Sequence, residues 1–280
     1  MGLLFEKERI MWRKWIAALV VLGALLMGAP GALAQEKSYS ADRFDVGIVV
    51  QNDGSLLVTE TVVFRFVGEP FTFVFREIPT DRTDGVELLE ASVDGRTYPQ
   101  GNNAGQVEIE SDDNIRVTWH MEPTANTTRT FVLQYRMLGV VQQTADADLL
   151  RYQPLPDEFE YTIDSSTVTL RYPASANLLE TPQVTANTAQ VDRSGNVVTF
   201  TRQAVEPNDT MVFEMIFAQG SLIATPPAWQ TRQAAQNALW PLWIGGSVVI
   251  LVAGIMGAVV LWRSHQPQLK KSTAVYYEPP

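Results

Sequence analysis

From Leu242 to Trp262 the chain reads LWIGGSVVILVAGIMGAVVLW, 21 residues without a charge. At about 1.5 Å of rise per residue, such a run covers the roughly 30 Å hydrocarbon core of a bilayer as a helix. A backbone in lipid has to satisfy its own N–H and C=O groups, which favours the helix there. Trp240 and Trp243 at one end and Trp262 at the other suit the two interfaces, where indole buries its ring and keeps its N–H wet. The expectation is a single transmembrane helix over 242–262, with the lipid bilayer as partner. Ala253/Gly257 and Gly254/Ala258 are small residues four apart, a spacing that permits weak helix self-association.

The other end of the chain agrees with export. Lys7, Arg9, Arg13 and Lys14 precede an apolar run from Trp15 to Ala29, then Pro30-Gly31 and Ala32-Leu33-Ala34. That is the three-part layout of a secretory signal over residues 1–34, with Gln35 as the mature N-terminus. Arg263, Lys270 and Lys271 follow the 242–262 run, while Arg232 is the one basic residue in the twenty before it. The positive-inside rule then makes 263–280 a cytoplasmic tail and leaves residues 35–240 extracytoplasmic, in a single-pass cell-membrane protein.

Composition narrows what the exported part can do. The chain has no cysteine, so disulfides, thiol nucleophiles and thiolate metal sites are excluded. Between residues 35 and 240 there are 28 acidic and 14 basic residues, near −14. A surface of that sign argues against nucleic acid as a partner.

Along 35–220 the signal is apolar alternation with period two, broken by turns. Phe44 to Val50 runs into Asp53-Gly54, and Leu56 to Phe66 resumes; Leu88 to Val93 meets Asp94-Gly95 and then Arg96-Thr97-Tyr98. Asp-Gly between β-rich runs marks a hairpin, because both residues tolerate positive φ. Phe71, Phe73 and Phe75 alternate onto one face, as do Phe131, Leu133, Tyr135 and Met137. Val107 to Ile109, Ile115 to Trp119, Thr167 to Tyr172, Val197 to Arg202 and Met211 to Phe217 continue the series. The class is all-β, an extracytoplasmic β-sandwich region at 35–220, as one large sandwich or two contiguous lobes. The lobes would be 35–140 and 165–218, because the pattern lapses between Gly139 and Asp164, where Pro154 and Pro156 rule out a central strand. Residues 221–241, opened by Pro226-Pro227, read as a juxtamembrane stalk with a short helix over Ala228 to Leu239.

Few residues offer chemistry. His120 is the one histidine before the apolar run, and nothing like Gly-x-Ser-x-Gly accompanies it, so a Ser-His-Asp triad is disfavoured against a strand-edge histidine. Asp112-Asp113 and Asp146-Ala147-Asp148 could give oxygens to calcium but lack the EF-hand spacing. Arg76 and Glu77 could face a groove, with a turn-anchoring ion pair as the plainer account. Asn126-Thr127-Thr128 and Asn208-Asp209-Thr210 match the glycosylation sequon, which short polar turns produce by chance. Asp146, Asp148, Glu158 and Glu160 form the richest carboxylate cluster outside the strands, and solvating a loop or lobe seam is their expected role.

Phe44-Asp45-Val46, Asp53-Gly54-Ser55-Leu56-Leu57-Val58-Thr59-Glu60 and Phe73-Val74-Phe75-Arg76-Glu77-Ile78-Pro79 together resemble the opening of the YciQ-like bacterial membrane proteins, as do Val168 to Pro173 and Tyr276 to Pro280 further on. The resemblance implies a signal peptide, an extracytoplasmic β-domain and a membrane anchor, and it implies no activity. Leu149 to Gln153 departs from the family pattern, and the chain stops where relatives continue into further spans. The expected function is a membrane-anchored binding or assembly module at the cell envelope, with an unknown envelope protein or glycan as partner. No catalytic, cofactor or metal residue is assigned. The alternatives are an envelope enzyme of the glycan-hydrolase type using convergent carboxylates, or a part of a larger multi-span membrane protein.

Overall fold

Both Asp-Gly pairs turn the chain as their chemistry suggests. Gly54 and Gly95 each sit at φ +77°, and Asp94 itself takes φ +50°. The computed structural model describes residues 36–156, 158–185 and 189–264. The first half carries β1 (Ser38–Val50), β2 (Leu56–Val67), β3 (Phe71–Pro79), β4 (Gly85–Val93), β5 (Arg96–Thr97), β6 (Gln106–Ser111), β7 (Asn114–Thr124) and β8 (Thr127–Leu138). Then come β9 (Gln142–Gln143), β10 (Ala147–Tyr152), β11 (Ile163–Arg171), β12 (Gln183–Val184), β13 (Gln190–Ser194), β14 (Val197–Val205), β15 (Phe213–Ala218) and helix α1 (Ala228–Ser264).

One layer is an eight-stranded sheet of order β13-β14-β11-β1-β2-β8-β4-β5. Its inward face is the alternating apolar set, with Ile48, Val58, Leu133, Val168 and Phe200 among the buried residues. The opposite layer is divided into a four-stranded sheet, β12-β15-β10-β9, and a three-stranded one, β3-β7-β6. Both cover the same face of the large sheet. Phe213 of β15 stacks on Phe200 with ring centres 4.9 Å apart, and Trp119 of β7 meets Phe131 edge-on at 5.8 Å. The two halves of the sequence are not separate lobes, because β1 pairs in parallel with β11 (Val46 with Val168, Ile48 with Leu170) inside the large sheet.

The stretch 139–164 is also more ordered than its composition suggests. β10 lies there and pairs with β15 from Ala147↔Ala218 to Tyr152↔Phe213, ending before Pro154.

The expectation of a membrane span is corrected. Leu242 to Trp262 is the distal part of one 37-residue helix that starts at Ala228, so the stalk helix and the apolar run are a single element. Its first turns carry Gln230, Thr231, Arg232, Gln233 and Gln236, and four glycines and a serine dilute the apolar run. Among the described residues no helix is long and apolar enough to cross a membrane. The bilayer as partner, the single-pass placement with a cytoplasmic C-terminus and the membrane-anchored module built on them are withdrawn with it. The signal over 1–34 and the tail beyond Ser264 lie outside the described residues.

Candidate functional site

Where the second layer is divided, a cleft of about 510 Å³ opens. Tyr135 and Met137 of β8 line it from the large sheet. Arg76, Ile78 and Pro79 of β3, with Asp81, Arg82 and Thr83 of the loop that follows, line it from one half-layer. Arg151, Tyr152 and Gln153 line it from the other, and Val140, Gln142 and Val212 complete the lining. β3 is the outer strand of its sheet, and β9 pairs with β10 only at Asp148 and Leu149. Both strands flanking the cleft therefore have backbone without a strand partner.

Behind the cleft lies a buried ion pair. Glu60, on the inward face of β2, is 2% exposed and receives both arms of Arg76, Nε to Oε2 at 2.8 Å and Nη2 to Oε1 at 2.9 Å. The Tyr135 hydroxyl donates to Glu60 Oε1 at 2.6 Å and lies 2.9 Å from the Tyr152 hydroxyl. Burial alone would lower the pKa of the Arg76 guanidinium, but the Glu60 carboxylate outweighs it and the net shift is upward. Burial first, and the negative charge of Glu60 second, push the phenols of Tyr135 and Tyr152 well above their ordinary range. The network is a charged plug between the layers that stays ionised at Arg76 and neutral at the two phenols. Glu60 thus accepts three hydrogen bonds, two from the guanidinium fork and one from a phenol, in the bidentate geometry that fixes such a pair. Asp81 is the carboxylate among the described residues that line the cleft.

Among the described residues two cleft arginines lack an acidic partner, as do Arg96, Arg171 and Arg193 elsewhere. Arg65, Arg116, Arg129 and Arg136 each face an acidic partner, at 2.9, 3.5, 2.7 and 2.5 Å. Among the described residues Arg82 and Arg151 have none, and both are exposed. Arg82 also sits at φ +55°, a region that a long side chain occupies at a cost.

Next to the cleft, the β-body seizes the start of α1. The first turn of α1 contains no acidic residue. Asp84 supplies that charge from the loop before β4, with Oδ2 accepting from Ala228 N and Oδ1 from Trp229 N, both at 2.7 Å. These are N–H groups that a helix cannot satisfy within itself, and the carboxylate also complements the helix dipole. Trp229 Nε1 donates to Gly139 O at 2.7 Å. Gln230 Nε2 donates to Gln143 O at 2.5 Å, while Gln143 N donates to Gln230 Oε1 at 3.0 Å. Gly139 has φ +67°, and a Cβ there would come within 2.6 Å of the Asp84 carboxylate, so the close approach requires glycine.

The carboxylates singled out in the sequence do not converge on one site. Asp148 is wholly buried on β10 and accepts from the N–H groups of Gly220 (3.1 Å), Leu222 (2.8 Å) and Ile223 (3.2 Å). Asp146 is exposed in the turn before it, and Glu158 and Glu160 are exposed beyond the prolines. His120, half-buried on β7, has its Nε2 3.0 Å from Glu108 Oε2 across the β6–β7 pair. Asp112 and Asp113 form the β6–β7 turn, and Thr80 Oγ1 donates to Asp113 O. Glu77 faces Arg116 at 3.5 Å, whereas Arg76 turns inward to Glu60. Among the described residues no group of three or more His, Asp or Glu stands together to take a metal ion. Glu60 escaped the sequence reading because it sits in a strand whose alternation marks it as inward. That position, an acid among Val58, Val62 and Phe64, was the available signal.

No curated protein matches this sequence. Among solved structures, leukotriene A4 hydrolase from Saccharomyces cerevisiae is similar over 68% of this chain and 31% of its own, with 10% identity and a TM-score of 0.45. The M1 zinc metallopeptidase from Deinococcus radiodurans is similar over 65% of this chain and 43% of its own, with 14% identity and a TM-score of 0.41. The chain thus spans less than half the length of these proteins, and likenesses so distant carry no functional weight. The family model described as the N-terminal domain of a predicted membrane protein, DUF2207, matches residues 40–217, from β1 to the penultimate residue of β15. The chain belongs to the DUF2207 family.

Proposed function

We propose that this chain serves, without catalysis of its own, as the folded N-terminal domain of a larger protein and sets the direction in which α1 leaves it. The supporting observation is the junction. A carboxylate from the β-body, Asp84, caps the first two N–H groups of α1, and the Gln143–Gln230 exchange fixes the helix about its axis. A helix that merely trailed from the domain would need no such partners. The reading is in keeping with the family description, which names an N-terminal domain.

The chain contains no cysteine, so a pair of spin labels is straightforward to place. With cysteines at the exposed positions Gln236 on α1 and Asp192 on β13, the label-to-label distance distribution should be narrow, and D84A should broaden it without lowering the melting temperature of the β-body by more than a few degrees. A broad distribution in the unaltered chain, equal to that of D84A, would sink the proposal. Turnover of a peptide or glycan that D81N abolished would replace it with the hydrolase reading.

A further inference from the structure

We infer that the cleft between β3 and β10 receives a short extended peptide bearing carboxylates, laid as an added strand between the two half-layers and held by Arg82 and Arg151. Backbone, charge and strain meet there. β3 is an outer strand, and β10 beyond Leu149 has no strand neighbour on the β9 side. Unpaired strand edges recruit another strand, with main-chain hydrogen bonds giving affinity and alternate side chains giving specificity.

The two arginines add charge to the open backbone. In a body with twice as many acidic as basic residues, they are cations left without acidic partners, and a guanidinium fork matches a carboxylate. Arg82 stands in the cleft lining on a backbone at φ +55°. Ile78, Met137 and Val140 offer an apolar floor, so the fitting peptide alternates apolar residues, pointing down, with acidic ones pointing out to the arginines. The volume lies within the range of about 300–1,000 Å³ usual for ligand sites.

The test uses the full chain and a fluorescein-labelled hexapeptide alternating glutamate and valine. It should bind saturably, and a glutamine–valine hexapeptide should bind about tenfold more weakly or less. R82Q and R151Q, both at exposed positions, should each weaken binding about threefold or more with the circular dichroism spectrum unchanged. Hydrogen exchange should show new protection over 76–79 and 150–153 when the peptide is bound. Equal binding of the glutamine–valine peptide, undiminished binding by the R82Q/R151Q double variant, or protection confined to other strands would each overturn the inference. So would displacement of the peptide by inorganic phosphate at low millimolar concentration, which would make the cleft a simple anion site.

Discussion

Glu60 is a carboxylate surrounded by the core, and it is tolerated there because Arg76 supplies the opposite charge and, with Tyr135, three hydrogen bonds. Removing one member of a buried pair costs far more than removing both. R76M should therefore destabilise the fold by about 3–5 kcal/mol, seen as a lower urea midpoint at unchanged slope. The double variant E60L/R76M should recover most of that loss; if it is as unstable as R76M, the pair is not the source of the cost. The buried phenols make stability depend on pH. Tyr135, Tyr152 and Tyr161 all have raised pKa values, with burial as the leading cause. A raised phenol is neutral in the folded state. The stability it lends is complete below the ordinary value of about 10 and is lost as pH climbs above it. Absorbance at 295 nm should show the exposed tyrosines ionising first and these three ionising only as near-ultraviolet dichroism collapses. All the phenols titrating together near pH 10 with the fold intact would contradict this.

At the scale of elements, Asp148 shows how a strand position changes the meaning of a residue. On β10 it gathers three N–H groups of the 220–223 segment and so ties the approach to α1 onto the sheet. D148A leaves the buried N–H groups of Leu222 and Ile223 without partners, at about 1–3 kcal/mol each, whereas D146N in the exposed turn should stay within about 0.5 kcal/mol of the parent. Equal melting temperatures for the two variants would refute the assignment. The sequence read both as loop solvation, because Gln142 to Asp148 is polar and the alternation of Asp148, Leu150 and Tyr152 is too short to stand out. Elsewhere alternation was legible: Phe131, Leu133, Tyr135 and Met137 are all buried, and both Asp-Gly turns are in place. In β3 the period was right and the face was not. A register shift between Phe71 and Phe73 sends Phe71 toward Phe66, while Phe73 and Phe75 point outward, 52% and 49% exposed. A bulge of one residue flips every side chain beyond it, and nothing in an apolar pattern announces where one falls. The cleft was illegible for a related reason, since its walls come from β3 and β10, some 75 residues apart in sequence.

For the whole molecule the decisive pairing is β1 with β11, which joins the two halves of the sequence inside one sheet. Residues 36–140 alone would lose the β11 neighbour of β1 and the β10 and β15 cover of the inward face. That fragment should lack near-ultraviolet dichroism and bind ANS, while residues 36–220 should unfold in one transition by every probe. A fragment that melted cooperatively by itself would restore the two-lobe arrangement. The same unity bears on α1. Asp84, Gly139 and Gln143, which grip its first turn, are sequence neighbours of Thr83, Val140 and Gln142 in the cleft lining. At 1.5 Å per residue the 37 residues of α1 reach about 55 Å from that grip. The helix is then a lever arm with its fulcrum beside the cleft. A tilt of about ten degrees at the fulcrum, smaller than many loop rearrangements, would sweep its far end through roughly 10 Å.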